Sequence, residues 1–205
     1  MVQRKMLLDT NSYLRLARNI HPLLLREFGA EKHCLYVLAE LERELNASTR
    51  LEHKFHWAQE AAYKQNRLAI PTISRKQKRE IENAQGIIWD HVQTDCPGPS
   101  RVDVVHLATA FVLAIPLVTD DGAMRLAAAT FEIETLMSLD LLRKMVDCSH
   151  IDRAKVREIV AYWKYWKDEP AALKDTYAHR PRSGQLSGDR ARKLRKPGPS
   201  CEASD

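Results

Sequence analysis

The chain has 205 residues, 44% of them hydrophobic, and 32 Lys and Arg against 27 Asp and Glu give a formal net charge of +5. That length suits one domain with an appendage or two small domains, and the apolar fraction excludes a chain disordered throughout. Residues 1–150 hold 19 basic and 19 acidic side chains, while residues 151–205 hold 13 and 8. A uniformly basic body that coats nucleic acid is therefore excluded, and a neutral body with a basic tail remains.

Cys34, Cys96, Cys148 and Cys201 lie far apart without a Cys-x-x-Cys pair. This argues against a zinc ribbon or a disulfide framework and fits reduced thiols in a cytoplasm. The opening MVQRKMLLDTNS runs out of apolar residues too soon for a secretory signal. The most apolar stretch, Val104 to Val118, is interrupted by His106, Thr109 and Pro116 and is too short to span a bilayer. A soluble cytoplasmic protein without a membrane partner is expected.

Met6-Leu7-Leu8 reads as a strand that ends at Asp9, followed by a helix through Leu14, Leu16, Ala17 and Ile20 with Asn11 or Ser12 as its N-cap. Residues 34–38 form a second apolar strand running into a helix from Ala39, with Glu40 in its first turn. Residues 50–66 carry Leu51, Phe55, Ala58 and Ala62 at helical spacing and predict one helix. Leu68 to Ile73 is a short strand or extended link, and a helix is predicted from Arg75 to Trp89. Cys96 to Ser100 is a loop by its Pro and Gly content.

Ser100-Arg101-Val102-Asp103 has the form of a capping box and leads into an apolar helix from Val104 to Ala114. Residues 115–119 and 131–136 read as strands, with a short helix from Met124 to Ala129 between them and another from Leu139 to Val146. An amphipathic helix follows from Ile151 to Trp166, and beyond Pro170 the chain turns polar and rich in Pro, Gly and Ser. Strands alternating with helices predict an α/β domain with a mostly parallel sheet. The division expected is an α/β domain over 1–147, a helical extension over 148–169 and a flexible basic tail over 170–205.

Functional sites in open α/β sheets gather at the carboxyl ends of the strands. Asp9, Glu40 and either Asp120 or Asp121 fall there, and Asp103 opens a helix that returns to the same edge. Carboxylates gathered at one edge repel each other unless cations sit between them, and oxygen-only ligands select hard ions such as Mg²⁺ or Mn²⁺. Such ions can clamp a phosphodiester.

Leu7-Leu8-Asp9-Thr10-Asn11, Val37-Leu38-Ala39-Glu40-Leu41, Asp103 to Ala110 and Leu117-Val118-Thr119-Asp120-Asp121 resemble, in order and rough spacing, the successive motifs of the PIN domain. The similarity covers about residues 4–147 and is closest in pattern to the VapC-type toxins of bacterial toxin–antitoxin pairs. The resemblance implies a three-layer α/β/α fold and a Mg²⁺- or Mn²⁺-dependent endoribonuclease. It also implies an RNA substrate, a homodimer and a cognate antitoxin partner. Carried over, Asp9, Glu40, Asp103 and Asp121 form the catalytic, metal-binding quartet. Asp120 is a candidate helper, and Asn11 and Thr119 would orient carboxylates. Arg101 and His106 are candidate substrate contacts.

Bland readings compete with each of these. Asp9 could be a helix cap, Asp103 the acidic member of a capping box, Glu40 one of three acids on an exposed face, and His106 a packing residue. His53 and His56 lack a third zinc ligand. The Tyr162 to Lys167 run could stack bases, but its aromatics also fall on an apolar helical stripe. Seven basic residues and one acid lie between Arg180 and Lys196, and such a run attracts phosphate or simply stays solvated. The rival functions are a structure-specific DNA nuclease with the same acids and a non-catalytic RNA-binding protein. A phospho-acceptor receiver domain ranks last, because it would want a Lys after a late strand and none follows Leu136 before Arg143 and Lys144.

Overall fold

The computed structural model describes residues 3–170 and Leu173. The expected basic run from Arg180 to Lys196 and Cys201 lie outside the described residues. In chain order the elements are β1 (Arg4–Leu8), α1 (Thr10–Leu16), β2 (His33–Tyr36), α2 (Ala39–Ala47), α3 (Thr49–Lys54), a 3₁₀ turn (His56–Gln59) and α4 (Ala61–Asn66). Then come α5 (Arg75–Thr94), α6 (Arg101–Leu113), β3 (Leu117–Val118), α7 (Gly122–Thr130), β4 (Thr135–Leu136), α8 (Ser138–Asp147) and α9 (Arg153–Tyr165).

The four strands form one parallel sheet in the order β2-β1-β3-β4. Alternation along β1 sends Met6 and Leu8 to one face and Leu7 to the other, so each face seeds its own core. The first core joins Met6, Leu8 and Leu35 to Leu14, Leu41, Leu141 and Met145. The second joins Leu7 and Leu117 to Ile81, Ile88, Leu107, Ala108 and Met124. Helices on both faces of a parallel sheet make the three-layer α/β/α architecture expected from the sequence.

α6 is apolar nearly all round because it is sandwiched between α5 and the sheet. Val104, Leu107, Ala108 and Ala110 are all buried. α9 extends the first core: Ile159 and Trp163 are completely buried there, and the Trp163 indole N–H donates to the Arg15 carbonyl at 2.9 Å. Of the aromatic run, Trp163 is thus core, whereas Tyr165 is 79% exposed. Cys34, Cys96 and Cys148 are free thiols. No helix among the described residues is long and apolar enough to cross a membrane.

Several boundaries differ from the sequence expectation. The single helix over 50–66 is broken into α3, the 3₁₀ turn and α4. Phe55 and Trp57 are both buried, at 6% and 3% exposure, yet two residues apart they cannot share one helical face. Phe55 leaves the helical region (φ −120°, ψ 43°) so that both rings reach the core. The Arg67 guanidinium then donates to the Ala58 carbonyl at 2.6 Å. Residues 68–73 form no strand, although Val37 N–H donates to the Ala69 carbonyl. α5 runs on to Thr94 because Val92 continues the buried stripe of Ile81, Ala84 and Ile88. β3 and β4 shrink to two residues each.

The chain passes from β1 outward to β2 and then crosses back to β3 on the other side of β1. The order reverses between β1 and β3, which makes their carboxyl ends the topological switch point where a crevice opens in such sheets.

Candidate functional site

Asp9 and Thr119 stand at that switch point. Asp9 follows β1, and its amide extends the ladder by donating to the Val118 carbonyl at 3.1 Å. Its carboxylate is almost fully buried, at 4% exposure. Oδ1 accepts from the Ser12 amide at 2.6 Å, which makes Asp9 itself the N-cap of α1. Neither Asn11 nor Ser12 takes that role, contrary to the sequence expectation, because α1 already begins at Thr10. Oδ2 accepts from the Thr119 hydroxyl at 2.6 Å, across 110 residues of sequence. Burial pushes the Asp9 carboxyl above its ordinary pKa. The bonds from Thr119 and Ser12 pull the other way.

The Thr119 oxygen also accepts from the Asp121 amide at 3.1 Å, so one hydroxyl ties Asp9 to the turn that carries Asp121. Asp121 is exposed and caps α7, its Oδ1 accepting from the Met124 amide at 2.7 Å. Asp103 occupies the third position of α6. Its Oδ2 accepts from the Ser100 amide at 2.7 Å, while the Ser100 hydroxyl accepts from the Asp103 amide at 3.2 Å. The capping box read from the sequence is therefore formed. Each of these three aspartates stabilises a helix N-terminus, where the macrodipole favours a negative charge.

Asp120 is engaged elsewhere. Its carboxylate accepts from Arg15 at 2.9 Å, from the Ser138 hydroxyl at 2.6 Å and from the Ser138 amide at 2.9 Å. It is a brace between α1, the end of β3 and the start of α8. Asn11 is exposed, and among the described residues no side-chain hydrogen bond joins it to Asp9.

Glu40 lies in the first turn of α2, its Oε1 accepting from Arg43 at 2.9 Å. One turn later Glu44 accepts from the hydroxyl of Thr10, the residue after Asp9. The carboxylate of α2 bonded to the Asp9 turn is thus Glu44. The i,i+4 spacing of Glu40 and Glu44 was the available signal, because it puts both on one helix face.

His106 is 1% exposed. Its Nδ1 lies 2.9 Å from the Val102 carbonyl. A carbonyl only accepts, so Nδ1 carries the proton and a neutral imidazole leaves Nε2 as a bare lone pair. That Nε2 is buried without a partner among the described residues. Arg101 places its guanidinium over the Trp89 ring, 4.3 Å from the centroid. A groove of about 360 Å³ runs between α2 and α6, lined by Glu40, Arg43, Glu44, Arg101, Val102 and Val105, with Ala47 at its end.

These donors suit a hard divalent cation in kind: carboxylate oxygens, one pair of them on the buried, desolvated Asp9. They are not assembled as a ligand group. No three His, Cys, Asp or Glu side chains among the described residues are grouped to hold a metal ion.

No family model matches the chain, and no curated protein matches it. Among solved structures, one described as the crystal structure of FitAcB from Neisseria gonorrhoeae is similar at 17% identity with a TM-score of 0.44. That match covers 65% of this chain and 98% of the other.

Proposed function

We propose that the chain is a metal-dependent endoribonuclease that hydrolyses RNA phosphodiesters at the switch point between β1 and β3. The observation that carries the reading is the buried Asp9 carboxylate at that point, clamped between the Ser12 amide and the Thr119 hydroxyl. Burying an ionised carboxylate is costly, and its occurrence where a crevice is expected marks a functional site more than a fold requirement.

Asp9, Asp103, Asp121 and Glu40 are the groups that would hold Mg²⁺ or Mn²⁺, and when bound the ion supplies Lewis-acid charge neutralisation at the phosphate. Glu40 costs little to redirect, since an exposed i,i+3 pair such as its bond to Arg43 is worth roughly 0.5 kcal/mol. Thr119 fixes the Asp9 carboxylate in one orientation. Glu44 holds Thr10 and with it the first turn of α1. Arg101, its guanidinium over the Trp89 ring, offers N–H donors to a phosphate. Asp120 serves the fold through its bonds to Arg15 and Ser138.

In this reading residues 1–147 are the catalytic unit, 148–169 a helical extension and 170–205 a basic tail. The motif resemblance adds a second copy of the chain and a cognate antitoxin as partners, in a cytoplasm. The test is cleavage of single-stranded RNA by the purified chain with Mg²⁺ or Mn²⁺ and with EDTA, alongside Asp9→Asn and Asp103→Asn. Cleavage should need the ion and disappear in both variants. Cutting that persists in EDTA or in both variants refutes the reading, and preferential cutting of branched DNA replaces RNA with DNA as substrate.

A further inference from the structure

The groove between α2 and α6 has features the acid cluster does not explain. Its lining is aliphatic at Val102 and Val105, with Ala47 at its end, and it carries two acids, Glu40 and Glu44, and two arginines, Arg43 and Arg101. The charges balance, so the groove as a whole neither attracts nor repels an ion strongly. At about 360 Å³ it lies at the lower end of small-ligand sites, which begin at roughly 300 Å³. An apolar lining with hydrogen-bonding groups at the rim suits a flat, neutral ligand with a polar edge.

The Arg101–Trp89 pair narrows the occupant further. One face of the guanidinium is covered by the indole. Among the described residues no hydrogen bond or ion pair occupies its N–H edge. A guanidinium seated over an aromatic ring is a stacking platform for a base, and its edge remains able to reach a phosphate. The groove also adjoins the acid site, because Glu44 on its rim accepts from Thr10 beside Asp9, and the carbonyl of Val102 in its lining accepts from His106.

We infer that this groove holds one unpaired nucleobase of a single-stranded RNA, stacked on Arg101 and packed on Val102 and Val105, next to the phosphate presented to the acids. The inference rests on the nuclease reading and adds to it a base-binding subsite and a requirement for single-stranded substrate. A base inside a duplex cannot enter, since both its faces are covered by neighbouring base pairs. The Glu44 carboxylate on the rim only accepts, so the edge it favours carries N–H donors.

The experiment measures binding without chemistry. A short fluorescent single-stranded RNA is titrated with the full chain in EDTA, read by anisotropy, and checked afterwards to be intact. Ala47 is exposed at the end of α2, so Ala47→Trp fills the groove without disturbing the core, and thermal melting verifies that fold. Ala47→Trp and Arg101→Ala should each weaken binding about tenfold, the usual scale for losing one stacked base. A strand made abasic at the bound position should bind the wild-type chain and Ala47→Trp equally. Unchanged binding in both variants, or a duplex of the same sequence binding as tightly, overturns the subsite. Failure of the nuclease reading shows separately, as unaltered cleavage by Asp103→Asn.

Discussion

Thr119→Val tests the clamp on Asp9. Valine matches threonine in shape, so the substitution opens no cavity and removes only the hydroxyl. Three contacts go with it: the 2.6 Å bond donated to Asp9 Oδ2, the acceptor for the Asp121 amide, and a weak 3.5 Å contact with the Met124 sulfur. The first is a bond to a charged, buried acceptor, worth about 1.5–3 kcal/mol. The second is cheap to lose, because water reaches the exposed Asp121. A destabilisation of about 2 kcal/mol follows, which for a protein of this size lowers Tm by about 4–8 °C.

Thr119→Ser keeps the hydroxyl and deletes one buried methyl, which costs about 1 kcal/mol. Two denaturation series, Thr119→Val and Thr119→Ser with and without Asp9→Asn, separate the bond from the packing. The pH dependence has a fixed sign. The hydroxyl lowers the Asp9 pKa against the larger effect of burial, so without it the folded-state value rises further. The valine variant then takes up its proton at higher pH, and its deficit against wild type narrows as pH falls. Equal melting of the valine variant and wild type, to within about a degree at neutral pH, refutes the clamp and removes the main support for Asp9 as the site's anchor.

Asp9→Asn should abolish ion-dependent cleavage yet raise Tm at neutral pH, since the folded-state pKa of Asp9 is raised and its ionised form is the destabilised one. That gain should fade as pH falls from the raised folded value toward the unfolded 3.8, which urea denaturation at neutral and acid pH will show. Asp120→Ala should cost about 3 kcal/mol in urea denaturation, because it leaves Ser138 without its acceptor and Arg15 with only the longer pair to Asp168 in a mostly buried brace. Ser100→Ala removes the cap of α6 and should cost about 1 kcal/mol by the same measurement. Glu44→Gln keeps an acceptor for Thr10 and should melt close to wild type, whereas Glu44→Ala should melt a few degrees lower.

The α/β class with a mostly parallel sheet was legible in the sequence because it depends on local pattern: apolar runs too short for helices, each ending at a polar turn, alternating with helical stripes. Met6-Leu7-Leu8 followed by Asp9 is such a boundary, and the Ser100–Asp103 capping box is closed within four residues. Where two nearby residues both had to reach the core, as Phe55 and Trp57 do, the helical period misled, since it records which residues share a face and not whether the chain breaks to bury both.

The candidate acids were legible as positions at strand ends, but not in what their oxygens bind. Adjacent in sequence, Asp120 and Asp121 have unlike fates, one bonded to Arg15 and Ser138, the other capping α7 beside the Thr119 hydroxyl. Glu44 differs from Glu40 only by one helical turn, yet it is the one bonded to Thr10. Local sequence thus decided where carboxylates and helix starts would fall, because caps and strand ends are short-range. The tertiary structure decided which carboxylate is buried, braced or left at the surface, because those outcomes depend on partners a hundred residues away that only the folded sheet brings within hydrogen-bonding distance.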